Sequence, residues 1–456
     1  MFSRNVDMLK GNILKTLIIF AIPILISSLF QQLYNTIDIM IVGHYLGETS
    51  LAAIGSSGAI YELLVGFALG VGNGLSIVTS RAYGSDNKKL VKKSVAASLV
   101  IGVGLTIVMM IIGQVFLYPL LELVNTPVDI IKESYSYIYV ISMSVGVMFL
   151  YNLAAGLLRS IGNSMMPLIF LIISSVINII LDIVFITSFD MGIKGAALAT
   201  VVAQGISGVL CILYILKKTE VLMPGKEHFV FDKALYKDLL GQGLSMGVML
   251  LIVSVGTVVL QTSINGFGHI IIAGHTAARK VGGFAMMPII ALSMSLATFV
   301  SQNKGANQGK RIRKAIFLTN IAELSLGVIV TIISLIFAPI LMRVISGSSD
   351  VELISIGSKY MMVNAAFYAV LGILLNYRNG LQGIGEKVLP LFSSVIEFIV
   401  KILFVLLVIP KLGYFGVIIC EPIIWCLMLI QLAIAFYRNS YIRESKVSLK
   451  EILQAE

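Results

Sequence analysis

The chain has 456 residues, of which 58% are apolar and only 12% charged, with a mean hydropathy of +0.98. A soluble domain of this length needs far more charge to cover its surface, so the composition excludes a soluble protein and leaves no stretch for a separate soluble domain. The net charge of +10 would raise nucleic acid as a partner of a soluble protein, but in a membrane protein it reads as the Lys and Arg of cytoplasmic loops, and no nucleic-acid partner is expected.

The N-terminal string MFSRNVDMLKGNILK carries positive charge ahead of an apolar run, as a signal peptide does. That run continues from Thr16 to about Val42 without a small-residue cleavage pattern, which predicts an uncleaved first helix. Further apolar runs recur to the end of the chain, each long enough to cross a hydrocarbon core of ~30 Å. They predict twelve helices, near 15–43, 51–80, 94–118, 134–158, 166–189, 192–216, 238–266, 270–301, 315–341, 355–377, 388–410 and 412–437. One set of loops then holds most of the cations, among them Lys88, Lys89, Lys92 and Lys93, the Lys217–Lys237 group, Lys310, Arg311, Arg313 and Lys314, Arg378 and Lys387, and Arg438 onward. The other set holds only Lys132, Lys194, Arg343, Lys359 and Lys411. The basic side is the cytoplasmic one, so both termini are expected in the cytoplasm and the protein in the inner, cytoplasmic membrane.

The longest polar connection lies at the middle of the chain. It divides an N-terminal six-helix lobe, 1–216, from a C-terminal one, 238–437, with 217–237 as the cytoplasmic connection and 438–456 as a cytoplasmic tail. The halves repeat. Gly47, Ala52, Ala53 and Gly84 recur 221 positions later as Gly268, Ala273, Gly274 and Gly305, and Gly192 and Gly195 as Gly413 and Gly416. Gly162 and Pro167 recur 223 positions later as Gly385 and Pro390. Six helices per half give both halves one orientation, a parallel repeat about an axis along the membrane normal. Transporters built this way bind substrate between the halves.

No chemistry of another class stands out. Cys211, Cys420 and Cys426 all lie in apolar runs without CxxC spacing, and His44, His228, His269 and His275 make no metal-ligand spacing. A membrane enzyme lacks a nucleophile, metal or phosphate motif, and an ATP-driven pump is excluded on the same ground unless a partner supplies the nucleotide.

The strings NTIDIMIVGHYLG, LAAIG, AYGSDN, LLRSIGNSMMP and NIILD…GIKGAALAT, followed by IAGHTAARKV, VSQNKGANQGK and GLQGIGEKVLP, are similar in order and spacing to the multidrug and toxic compound extrusion (MATE) family. The resemblance covers essentially the whole chain. It implies an all-α integral membrane fold of twelve transmembrane helices, arranged as two six-helix bundles around a central cavity. It also implies export of small, often cationic, organic compounds by sodium or proton antiport. No cofactor beyond that Na+ or H+ is expected, and a monomer in contact with membrane lipid is. A relative in the same superfamily flips lipid-linked oligosaccharides, so export of a lipid-linked or anionic metabolite stays open.

Ionisable groups at membrane depth are costly and need a reason. Asn178 and Asp182 share a helix face at i and i+4. Asp182 lies roughly eight residues before the turn at about Asp190 to Gly192 and Thr200 roughly eight after, so both sit ~12 Å below one surface. Asp38 lies at a similar depth, five residues before Gly43. A carboxylate pair with an amide and a hydroxyl suits Na+, or one shared proton. Polar residues also glue membrane helices together, which would explain an amide but fits two buried acids poorly. The resemblance implies the same four residues as a first-half cation site and adds Asn152 near it. Gln31, Tyr34 and Asn35 share a face with Asp38 and are candidate substrate or water contacts.

Glu62 reads equally as a third cavity carboxylate or a paired structural charge. Glu397 and Lys401, at i and i+4, read first as an internal ion pair and second as a substrate contact. Arg279 and Lys280 either face the cavity or snorkel outward. Met286 and Met287, with other second-half methionines, either line an adaptable cavity or pack and face lipid. LSMGVMLLIVSVGTVVL in the seventh helix and YMMVNAAFYAVLGILLN in the tenth carry no acid, so the carboxylate pair found there in some relatives is missing.

Overall fold

A computed structural model describes residues 5–124 and 126–445. The described residues are helical, with no strand among them. The elements run α1 (Ile13–Gly84), α2 (Lys88–Leu123), α3 (Ile131–Met143), α4 (Val145–Ser160), α5 (Met165–Ile183), α6 (Ile193–Lys218), α7 (Lys233–Asn265), α8 (His269–Gly305), α9 (Gly309–Ser346), α10 (Val351–Ala365), α11 (Tyr368–Ile384), α12 (Val388–Leu403), α13 (Ile409–Leu412), α14 (Tyr414–Arg438) and α15 (Ser440–Glu444). Nine helices are long and apolar enough to span a bilayer, or eleven when the bent pairs α3/α4 and α10/α11 each count as one. The 72-residue α1 holds two spans joined at Gly47, and dividing it there gives the twelfth.

Two surfaces explain why these runs stay helical and apolar throughout. On α9, Ile329, Ile332, Ile336 and Ile340 are exposed at three- and four-residue spacing, a face made for lipid tails. On the inner faces small residues let backbones approach. A Cβ at Gly156 would run into the Ser76 hydroxyl, and one at Gly208 would meet the Tyr151 backbone at 3.5 Å.

The repeat is written in the backbone. Gly47 and Gly268 have φ of 83° and 89°, and Gly192 and Gly413 share φ/ψ of 57°/−144° and 58°/−143°. Asp86 and Asn307, also repeat partners, both adopt positive φ near 55°. The bends recur as well, 47° between α3 and α4 and 48° between α10 and α11. A π-helical turn follows α5 at Val184–Ser188, and another follows α12 at Phe404–Val408.

The chain divides into two compact units, one of residues 1–7 and 22–251, the other of 8–21 and 252–456. The division falls inside α1 and α7, not at the 217–237 connection. Local bonding explains it. Asn303 Nδ2 donates to Met8 O at 3.0 Å, Ser295 Oγ to Leu17 O at 2.9 Å and Arg311 to Lys10 O at 3.0 Å, which ties the start of α1 to the second unit. The start of α7 belongs to the first unit because Gly243 packs on Leu75 and Val71, and Gly70 packs on the Met246 and Gly247 backbone. The connection itself forms two short turns, Glu220–Leu222 and Lys226–His228, within the first unit. Of the expected tail, 438–445 are described, including α15 (Ser440–Glu444), and 446–456 lie outside the described residues.

Two cations expected in loops are buried in helices, Lys314 in α9 and Arg378 in α11. Arg378, expected in a loop, is 8% exposed within α11, which runs on to Ile384. Its guanidinium donates to Ser393 Oγ at 3.0 Å and feels the Glu397 carboxylate, and these partners make its burial affordable.

Candidate functional site

The site in the first unit begins with α1, α5 and α6. Eight residues before Asp182, α5 starts to present one polar face, Ser174, Ser175, Asn178 and Asp182, all buried in an otherwise apolar helix. Directly after Asp182 the helix widens into its π turn, a feature that often marks functional positions. Asp38 from α1 and Thr200 from α6 meet this face. Exposure is 8% for Asp38, 1% for Asn178, 0% for Asp182 and 5% for Thr200.

The carboxyl groups of Asp38 and Asp182 face each other within hydrogen-bond reach. Apart from that mutual contact, both Asp182 oxygens, Asp38 Oδ1 and both polar atoms of the Asn178 amide have no hydrogen-bond partner among the described residues. Asn178 and Thr200 also line a small cavity of about 10 Å³, room for one water or one bare cation; Asp38 and Asp182 are not among its lining residues. Its lining includes Tyr34, Ser174, Ser175, Asn178, Thr200 and Gln204. Gln204 Nε2 donates to the Tyr34 hydroxyl at 3.3 Å and closes one wall. Four carboxyl oxygens, an amide oxygen and a hydroxyl form a hard-oxygen donor set, and the orphaned atoms show that the protein itself does not satisfy it.

Of the other first-half candidates, Tyr34 alone lines the cavity. Gln31 is exposed and reaches the Tyr34 hydroxyl, and Asn35 is half-buried. Asn152 turns its amide back onto its own helix, donating to Met148 O at 2.9 Å. Glu62 is exposed, one residue from a phenol that does belong to the site. Tyr61 and Tyr137 lie within electrostatic reach of Asp38, and Tyr137 of Asp182 too. Neither tyrosine nor Gln204 stood out in the sequence, because an aromatic or amide in an apolar run is ordinary packing material. Only α3's approach to α6 brings Tyr137 in.

In the second unit, Lys401 Nζ donates to Glu397 Oε1 at 2.8 Å, with the side chains 3% and 13% exposed. The Lys401 stem lies against Gly256, where a Cβ would meet it at 3.1 Å. Arg279 and Lys280 are exposed, and Met286 and Met287 are half-buried on α8.

A multi-pass membrane protein of two parallel repeats, holding an unsatisfied acidic oxygen cluster in one of them, has the build of a transporter. A sequence model of the MatE family matches residues 23–184 and again 246–407, two copies whose starts and ends are both 223 positions apart. The chain belongs to the MatE family of multidrug efflux transporters. Among its relatives, a probable multidrug resistance protein, YoeA of Bacillus subtilis, is 27% identical over 80% of this chain and 80% of its own. The multidrug export protein MepA of Staphylococcus saprophyticus is 24% identical over 92% and 91%. Among solved structures, a MATE protein in its bent conformation superposes with a TM-score of 0.86 at 20% identity, covering 98% of this chain and 100% of that one. A transporter of the MOP superfamily from Pyrococcus furiosus, described as having a binding pocket of reversed polarity, gives 0.85 at 20% identity over 96% and 98%.

Proposed function

We propose that this transporter exports small, often cationic, organic compounds in exchange for a monovalent cation, Na+ or H+, held at Asp38, Asp182, Asn178 and Thr200. The observation that carries the reading is the mutual approach of two buried carboxyl groups with their oxygens unsatisfied. Two carboxylates close together in low dielectric repel, so they favour a shared proton or a cation between them. Loading the site changes its charge by one unit. Such a change biases a carrier between states that bind ion and substrate in turn, as exchange requires. With Na+ bound, the two carboxylates, the Asn178 carbonyl and the Thr200 hydroxyl supply the ligands, and the full oxygen set favours Na+ over H+.

Export of an anionic or lipid-linked metabolite is the second reading. It draws on Arg279 and Lys280, which are exposed and form no ion pair among the described residues, whereas Lys401 is paired. The deciding experiment is dye efflux from vesicles carrying the pure protein, driven separately by a Na+ and by an H+ gradient. Efflux of ethidium that follows one gradient supports the exchange reading. Efflux indifferent to both overturns it.

A further inference from the structure

Glu323 lies on α9, two-fifths of the way along the helix, and is 0% exposed. Neither of its carboxyl oxygens has a hydrogen-bond partner among the described residues. It fits into a notch in α11, where a Cβ on Gly372 would stand 2.6 Å from Glu323 Oε2. Among the described residues no charged side chain bears on it. Arg313 and Lys314 on α9 are more than two turns away, and Arg378 on α11 turns to Ser393 and Glu397. Lys304 and Lys359, on α8 and α10, also contribute nothing to its surroundings.

An ionised carboxylate in such a place would be stranded in low dielectric with neither donor nor counter-charge, so the group is carried neutral. The close fit at Gly372 leaves no room for a sodium ion with its several oxygen ligands, but a proton needs no room. A polar path leads away from it. Asn376 is one turn on from Gly372, and its amide donates to Asn320 Oδ1 at 3.0 Å, while Asn376 Oδ1 itself is buried without a partner. Asn320 bonds to Tyr377, whose hydroxyl donates to that of Tyr437 at 3.2 Å. The Tyr437 ring lies 5.8 Å from the Arg313 guanidinium, near the start of α9. A permanently neutral packing residue would need neither a carboxyl group nor this ladder.

We propose that Glu323 carries an exchangeable proton in the second unit, sealed in this conformation by its contact with Gly372 and released along the Asn320, Asn376 and Tyr377 ladder when α9 and α11 part. The site stands on its own geometry, and only its consequence for coupling rests on the exchange reading above. On release the O–H bond breaks, the proton passes to water on the ladder, and the carboxylate keeps the electron pair.

Two measurements test the proposal. Dicyclohexylcarbodiimide reacts with protonated carboxyl groups in apolar surroundings, taking up their proton on nitrogen and leaving a stable acylurea. Purified full-length protein treated across a pH series should carry the adduct on the Glu323 peptide by mass spectrometry, with labelling falling about tenfold per pH unit above its midpoint. No adduct at any pH, or one indifferent to pH, overturns the proposal. In liposomes exporting ethidium, Glu323→Gln should keep normal yield and substrate binding but move fewer protons per substrate than the unaltered chain. An unchanged ratio also overturns it. If the unaltered chain moves ethidium without any proton flux, proton exchange fails as the transport mechanism, and the labelling series alone decides for or against Glu323.

Discussion

Asp38 and Asp182 are acids at membrane depth whose carboxyl groups interact with each other. Asp182→Asn or Asp38→Asn keeps the shape and removes the charge that loading must change. Each variant should reach the membrane at normal level and lose gradient-driven efflux, and full efflux by Asp182→Asn would remove the site from the mechanism. Thr200→Ala deletes a neutral ligand only, so it should weaken Na+-driven efflux and leave H+-driven efflux nearly intact, because a proton needs no hydroxyl ligand. The Glu397–Lys401 pair behaves differently. Lys401 is buried and Glu397 mostly so, and Lys401→Ala strands the carboxylate at a cost below the ~3–5 kcal/mol of a fully buried pair, because Arg378 remains close to share that charge. The folded yield should fall, and Glu397→Gln with Lys401→Met should recover part of it. Normal yield for Lys401→Ala with altered substrate choice would instead make the pair a substrate contact. The acids of the site were legible in the sequence because a carboxylate in an apolar run has no bland explanation, and counting residues from Gly192 gave their depth. Tyr61, Tyr137 and Gln204 were not, since their residue types are common in membrane helices and only tertiary approach assigns them. The full burial of Glu323 and Arg378 was hidden for a related reason: an apolar run wholly in lipid has little amphipathic contrast, so its sequence does not say which face turns inward.

At the scale of elements, glycines carry what periodicity cannot. The spans 15–43 and 51–80 are two helices that meet at a kink at Gly47, whose φ of 83° and ψ of −174° are not helical. The break between α3 and α4 at Ser144 has no Gly or Pro to announce it, and its repeat partner between α10 and α11 has none either. Gly162 combines two demands. Its φ of +87° suits no residue with a Cβ, and a Cβ there would run into the Val6 carbonyl, while Val6 N donates back to Gly162 O at 2.9 Å. Gly47 has the same backbone strain but open space around it. Gly47→Ala should therefore cost only the left-handed strain, about 1–2 kcal/mol, and Gly162→Ala clearly more. Apparent melting temperatures of the two variants in one detergent check this. Equal shifts would mean that the strand of chain around Val6 yields freely and contributes little to the first unit.

For the whole molecule, charge sets orientation. The basic loops read from the sequence, from Lys88–Lys93 to Arg438 onward, alternate with loops holding only Lys132, Lys194, Arg343, Lys359 and Lys411. The structure ties two of the basic segments to one end of the first unit. Arg81, closing α1, bonds Asp238 at the start of α7 at 2.9 Å, immediately after the 217–237 connection. The end of α1 and the connection thus lie on the same side, whichever side that is. The positive-inside rule makes it the cytoplasmic one, because moving this much Lys and Arg outward opposes insertion. Lys226 is exposed in the connection and suits a probe. With Cys211, Cys420 and Cys426 replaced, a single cysteine introduced by Lys226→Cys should react with a membrane-impermeant maleimide in inverted vesicles and stay unmodified in intact cells. The side of labelling reports both basic segments at once, since the Arg81–Asp238 contact links them. Modification from outside intact cells would invert the orientation of every span, and with it the direction in which the Asp38–Asp182 site loads its ion.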